Sequence, residues 1–198
     1  MNLPNGLTLG RIFLVPVFVA VLLTRYDMRI AAVIFLAASV TDLLDGYFAR
    51  KRDQVTTLGA LLDPLADKLL ISSAFISLVQ LQIVQAWVVV IIIGREIAVT
   101  GLRSIASSQG FTIQASELGK IKMVAQVAAI TLLMLGKAYP PFQAVGQIAL
   151  YVVVLFALLS AVDYFRTFWT KIDSRFKAQE RRRLTFAKKR PRRDVPTQ

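Results

Sequence analysis

Apolar residues fall along this chain in long blocks set off by short polar interruptions. Six blocks stand out: Leu7–Thr24, Ile30–Phe48, Leu58–Leu81, Ala86–Ile105, Leu118–Leu135 and Phe142–Phe165. Each is close to the ~20 residues that a helix needs to cross bilayer hydrocarbon. Polar breaks at Arg25–Arg29, Arg50–Thr57, Gln82–Gln85, Ser107–Glu117 and Lys137–Pro141 separate them. The pattern predicts an all-α, polytopic membrane protein with six transmembrane helices. Leu3-Pro4-Asn5-Gly6 is expected to form a short interfacial segment before the first span. No repeat of fixed period stands out. Residues 1–170 are read as one transmembrane catalytic domain and 171–198 as a loosely ordered, basic cytoplasmic tail.

Composition narrows the chemistry. The chain has 198 residues and is 56% hydrophobic, a length suited to one domain and too greasy for an ordinary soluble one. Cysteine and histidine are both absent, which excludes disulfides, thiolate or imidazole metal sites and the commonest general base. Acid–base work must fall to carboxylates, lysine or tyrosine. No basic residue precedes Arg11, so a cleaved secretory signal is not expected.

The net charge of +12 is unevenly spread. From Arg166 onward there are twelve Lys/Arg against three Asp/Glu, a net of +9. On a membrane body such a tail is expected to lie against anionic lipid headgroups, at about 1 kcal/mol per basic residue near the surface. A nucleic-acid arm is the competing reading, but no aromatic stacking platform accompanies these arginines. Arg50, Lys51, Arg52, Lys120, Lys122 and the tail all fall on one side of a six-span body, against Arg25, Arg29 and Lys137 on the other. Because basic loops stay inside, both termini are expected to be cytoplasmic.

Four aspartates stand out against this apolar background. The chain reads Asp42-Leu-Leu-Asp45-Gly46-Tyr-Phe-Ala49-Arg50, then eight residues, then Gly59-Ala-Leu-Leu-Asp63-Pro-Leu-Ala-Asp67. Asp42 and Asp45 share a face near the end of the second span, and Asp63 and Asp67 share one near the start of the third. Ionisable residues at such depth are costly, and clustered carboxylates repel each other unless neutralised. An all-oxygen set favours a hard divalent cation such as magnesium, manganese or calcium. Magnesium commonly shares its shell with substrate phosphates, and Arg50 stands where a guanidinium can clamp one. Gly46, Ala49, Gly59 and Ala60 are small enough to let helices approach closely. In a purely structural alternative the aspartates pair with Arg50, Lys51, Arg52 and Lys68.

The spacing Asp-x2-Asp-Gly-x2-Ala-Arg-x8-Gly-x3-Asp-x3-Asp resembles the motif of the CDP-alcohol phosphotransferase family of integral membrane enzymes, with every position matched. The resemblance implies six transmembrane helices, a homodimer and a site open to the cytoplasm, where an alcohol displaces CMP from a CDP-linked lipid. It implies that Asp42, Asp45, Asp63 and Asp67 bind one or two divalent ions, Mg2+ or Mn2+. Gly46, Arg50 and Gly59, with Asp42, Asp45 and Asp63, would form the CDP site, and Asp67 would take the proton from the attacking hydroxyl. With no histidine present, a carboxylate beside the metal is also the base that composition leaves available.

A second charged group lies in the fourth and fifth blocks: Arg95, Glu96 and Arg103, then Lys120 and Lys122. Several cations beside a nucleotide site suggest a phosphate on the acceptor alcohol. The bland alternative is a Glu96–Arg103 salt bridge with lysines snorkelling to the interface. Arg-Glu-x3-Thr-x-Leu-Arg followed by Gly-Lys-x-Lys, with Leu3-Pro4-Asn5 and Leu7-Thr8-x2-Arg11, resembles a bacterial branch of the same family. That branch implies CDP-diacylglycerol as donor, sn-glycerol 3-phosphate as acceptor held by Arg95, Arg103, Lys120 and Lys122, and the inner or plasma membrane of a bacterium as location. Siblings that use another acceptor, in phosphatidylinositol phosphate or cardiolipin synthesis, share the core. A divalent-cation transporter is a further alternative, but it calls for midplane ligands and often an internal repeat.

Overall fold

A computed structural model describes residues 3–24, 27–51, 57–111 and 118–188, with the side chains of 6, 8–24, 27–41, 62, 65–111 and 122–174. Among the described residues there are six helices and no strand: α1 (Leu3–Leu23), α2 (Met28–Lys51), α3 (Thr57–Gln80), α4 (Ala86–Ser108), α5 (Leu118–Gly136) and α6 (Pro140–Lys188). Each helix covers one apolar block of the sequence.

Two boundaries depart from expectation. Leu3–Gly6 is not a separate interfacial piece but the first turn of α1. Pro4 is tolerated there because a first-turn N–H has no partner inside the helix. Nor does order end at Lys171: α6 continues to Lys188, for 49 residues in all. The sequence holds neither glycine nor proline between Gly146 and Pro191, and the tail is rich in Ala, Gln, Glu, Lys and Arg, all strong helix formers. At 1.5 Å per residue the helix is about 73 Å long, more than twice the hydrocarbon thickness.

Local chemistry sets the other ends. Asp27 caps α2 by accepting the Arg29 backbone N–H at 2.8 Å, and its carboxylate also takes the Arg29 guanidinium at 2.9 Å. Those hydrogen bonds hold the Asp27 carboxyl below its usual pKa. Helix α4 stops at a left-handed Gly110 (φ +74°), with Phe111 N–H bonded to Ala106 O and Gly110 N–H to Ser107 O. This is the Schellman arrangement, and Phe111 packs against the cluster that includes Ala106. Helix α3 ends the same way, with Ile83 N–H bonded to Leu78 O and Gln82 N–H to Val79 O. Here the left-handed position (φ 57°) is a glutamine.

The main core draws on all six helices, with Phe18, Phe35, Phe75, Ile92, Met134 and Leu150 fully buried at its centre. Ala31, Ala74 and Ala129 are also fully buried, which lets backbones approach. Helices α5 and α6 also approach closely beside their connecting turn, where a Cβ on Gly136 would stand 2.7 Å from Gln143 Cα. A smaller cluster joins Val99 and Ala106 of α4 to Tyr164 and Phe168 of α6.

The outer surface is apolar too: Phe13, Val33, Val90, Ile97 and Ile148 are each well over half exposed. Patches of this extent mark a membrane or a partner. Among the described residues, Pro140–Ser174 is long and apolar enough to cross a bilayer, and Thr8–Leu23, Met28–Thr41 and Lys122–Gly136 are shorter apolar stretches. The blocks in α3 and α4 are interrupted by the charges that build the site: Asp63, Asp67 and Lys68 in one, Arg95, Glu96 and Arg103 in the other.

Candidate active site

Helices α2 and α3 contact one another. Asp42, Asp45, Gly46 and Arg50 occupy the last turns of α2, while Gly59, Asp63 and Asp67 occupy the first turns of α3. The side chains of Asp42, Asp45, Arg50 and Asp63 lie outside the described residues, as does that of Lys120 at the start of α5. Asp67 is described: it is partly buried and interacts electrostatically with Lys68 and Lys122. Among the described residues no three His, Cys, Asp or Glu side chains gather into a metal site. The donor chemistry of the motif nonetheless fits a hard divalent cation, because a chain without His or Cys offers oxygen ligands alone.

Beside Asp67 lies a polar cluster built from four helices. Glu96 of α4 pairs with the guanidinium of its neighbour Arg95 at 2.9 Å and with the ammonium of Lys122 on α5. Arg95 also donates to the hydroxyl of Ser160 on α6 and lies over the ring of Tyr164, 5.9 Å from its centroid. Lys68 of α3 reaches across to α4 and donates to Thr100 Oγ1 at 2.7 Å. Thr100 in turn donates to the carbonyl of Glu96 at 2.7 Å. Arg103 is exposed on the same helix and interacts electrostatically with Lys68 and Arg95.

Burial divides these cations. The side chains of Arg95 and Lys122 are only 9% and 6% exposed, and they share the Glu96 carboxylate. Charges removed this far from water call for a counter-ion, and the one Glu96 carboxylate answers one of these two. Near this pair, two buried donor atoms have no hydrogen-bond partner among the described residues: Arg95 Nε and Gln126 Nε2, the latter one turn beyond Lys122 on α5. Four cations (Lys68, Arg95, Arg103 and Lys122) are thus gathered near Asp67 and Glu96. Cations so grouped suit a substrate bearing phosphate.

Sequence reasoning had offered a Glu96–Arg103 salt bridge as the structural alternative. Glu96 instead takes Arg95 and Lys122. Helix geometry allowed Glu96 and Arg103 to share a face, but Lys122 comes from a neighbouring helix that periodicity cannot place. The participation of Lys68, Ser160 and Tyr164 in this cluster was not read from the sequence, and Thr100 was marked there only as a motif position. Lys68 carried a signal, being a cation within an apolar block. Ser160 carried none, since it meets Arg95 across 65 residues of chain.

Comparison with known proteins defines the class. The profile of the CDP-alcohol phosphatidyltransferase family matches residues 1–159, and the chain belongs to that family. It is 43% identical over 191 residues to the CDP-diacylglycerol–glycerol-3-phosphate 3-phosphatidyltransferase of Bacillus subtilis, a match covering 87% of this chain and 98% of that protein. The enzyme of the same name from Rickettsia felis is 34% identical over 170 residues, covering 83% and 94%. A cardiolipin synthase (CMP-forming) from rice is 35% identical over 190 residues, covering 85% of this chain but 58% of its own length.

Proposed function

We propose that this protein transfers the phosphatidyl group of CDP-diacylglycerol to sn-glycerol 3-phosphate, giving phosphatidylglycerophosphate and CMP. The observation that carries this reading is the cation cluster of Lys68, Arg95, Arg103 and Lys122 beside Asp67. Cations so grouped can hold a phosphate carried by the acceptor. The near full-length similarity to the Bacillus enzyme supports the same acceptor.

In the proposed reaction the acceptor hydroxyl gives its proton to Asp67 as its oxygen bonds the phosphorus that carries diacylglycerol. The bond from that phosphorus to CMP breaks, and CMP leaves. Positioned general bases of this kind contribute about 10²- to 10⁴-fold. A divalent cation, Mg2+ or Mn2+, held by Asp42, Asp45, Asp63 and Asp67 would supply the charge neutralisation that a departing phosphate needs. Gly46, Arg50 and Gly59 are assigned to the CDP side of the site, and Arg95, Arg103, Lys120 and Lys122 to the acceptor side.

In this reading all six helices cross the membrane of a bacterium, with both termini and the site in the cytoplasm. Residues 1–170 form the catalytic domain, working as a homodimer, and the basic tail (171–198) meets anionic headgroups.

The decisive experiment incubates purified protein with CDP-diacylglycerol and magnesium, offers each candidate alcohol in turn, and measures CMP release. Glycerol 3-phosphate should be used well, and glycerol, inositol phosphate, serine and phosphatidylglycerol poorly. Excess chelator should abolish release, and added magnesium or manganese should restore it. Equal use of another alcohol would overturn the acceptor assignment, and activity surviving chelation would overturn the metal requirement.

A further inference from the structure

The four cations of the acceptor cluster are not equivalent. Arg95 is committed: one terminal nitrogen serves Glu96, the other serves Ser160, and the Tyr164 ring covers it. Lys122 is committed as well, buried and ion-paired with Glu96. Glu96 therefore neutralises one of these two charges, and the pair forms a rigid floor.

Lys68 is different. It is partly open, and its hydrogen bond is to the neutral hydroxyl of Thr100 rather than to a carboxylate. An ammonium has three donors, and the described hydrogen bond to Thr100 uses one of them. Thr100 is itself fixed by its bond to the Glu96 carbonyl, and Lys68 lies within electrostatic reach of Arg103. Lys68 also interacts electrostatically with Asp67, so an anion it grips is held near that carboxylate.

We propose that Lys68, aimed by Thr100, grips the acceptor's phosphate together with Arg103, while Arg95 and Lys122 form the floor beneath them. The inference rests on the proposed acceptor and adds a specificity-determining residue that no sequence motif supplied. Lys68 thereby couples recognition of the phosphate to placement of the hydroxyl at Asp67.

The test is steady-state CMP release by purified Lys68→Met, Lys68→Arg and Thr100→Val proteins, varying each substrate in turn, with inorganic phosphate as a competing anion. Lys68→Met should raise KM for glycerol 3-phosphate by about ten- to a hundred-fold, the loss of one charge-assisted contact. KM for CDP-diacylglycerol and the magnesium requirement should stay within about twofold, and inhibition by inorganic phosphate should weaken in parallel. Lys68→Arg should recover most of the loss, and Thr100→Val should move the same KM in the same direction by less. If Lys68→Met fails to fold, Lys68→Arg and Thr100→Val carry the test through the same split between the two KM values. An unchanged KM for glycerol 3-phosphate, equal rises in both KM values, or an altered magnesium requirement would overturn the proposal. A parent protein that releases CMP only with another alcohol would instead overturn the proposed function.

Discussion

Asp67 stands at the join between the two halves of the site. It closes the aspartate motif on α3, and its carboxylate interacts with Lys68 beside it and with Lys122 on α5. A group in that place can accept a proton from a hydroxyl whose phosphate the neighbouring cations hold. Asp67→Asn should therefore cut turnover by about 10²-fold or more, while binding of CDP-diacylglycerol survives. Parallel CMP-release and lipid-binding measurements check this, and turnover above a few percent of parent would move the base elsewhere. Much of the site was legible at this scale, because an aspartate, arginine or lysine in an apolar block announces itself by cost. Ser160 and Tyr164 were not legible, since hydroxyls and tyrosines carry little penalty there, and Thr100 was legible as a motif position but not in its contacts. Their roles exist only once α3, α4 and α6 are packed.

At the scale of the element, the same helix ending is built twice with different residues. Left-handed backbone costs a residue with a Cβ about 1–2 kcal/mol, so Gly110 is free of a strain that Gln82 bears. Gln82→Gly should raise stability by about 1 kcal/mol. Gly110→Ala should lower it by a similar amount or more, although open space surrounds the position. Thermal unfolding of the purified proteins reads both, and shifts of the same sign would contradict the account. Helix existence was legible from the apolar blocks. The ends of α1 and α6 were not, because hydrophobicity marks where a helix is buried and propensity decides how far it runs. The basic residues of α6 are good helix formers, so the helix outlasts its apolar stripe.

For the whole molecule, the absence of cysteine offers a clean test of topology. If all helices cross, the turn between α5 and α6 and the end of α4 lie on opposite sides. A single cysteine at exposed Ala138 should react with a membrane-impermeant thiol reagent on intact cells. One at exposed Ser108 should react only after permeabilisation. Labelling of both from outside would break the six-span arrangement.

The cluster around Arg95 also bears on how such a chain is made. A nascent protein enters the bilayer in order, and each unpaired charge at mid-helix resists entry by roughly 2.5–3.5 kcal/mol. Helix α4 brings Arg95, Glu96 and Arg103, but Lys122 waits on α5 and Ser160 follows 65 residues after Arg95. If α4 crosses the bilayer as proposed, it is the hesitant passenger at the ribosome, with Lys68–Thr100 the tie available to it from an earlier helix. A chain halted after α4 would then carry half-answered charges into lipid and present itself to quality-control proteases. Only the delivery of α6 would make the charge-bearing helix a settled resident of the membrane.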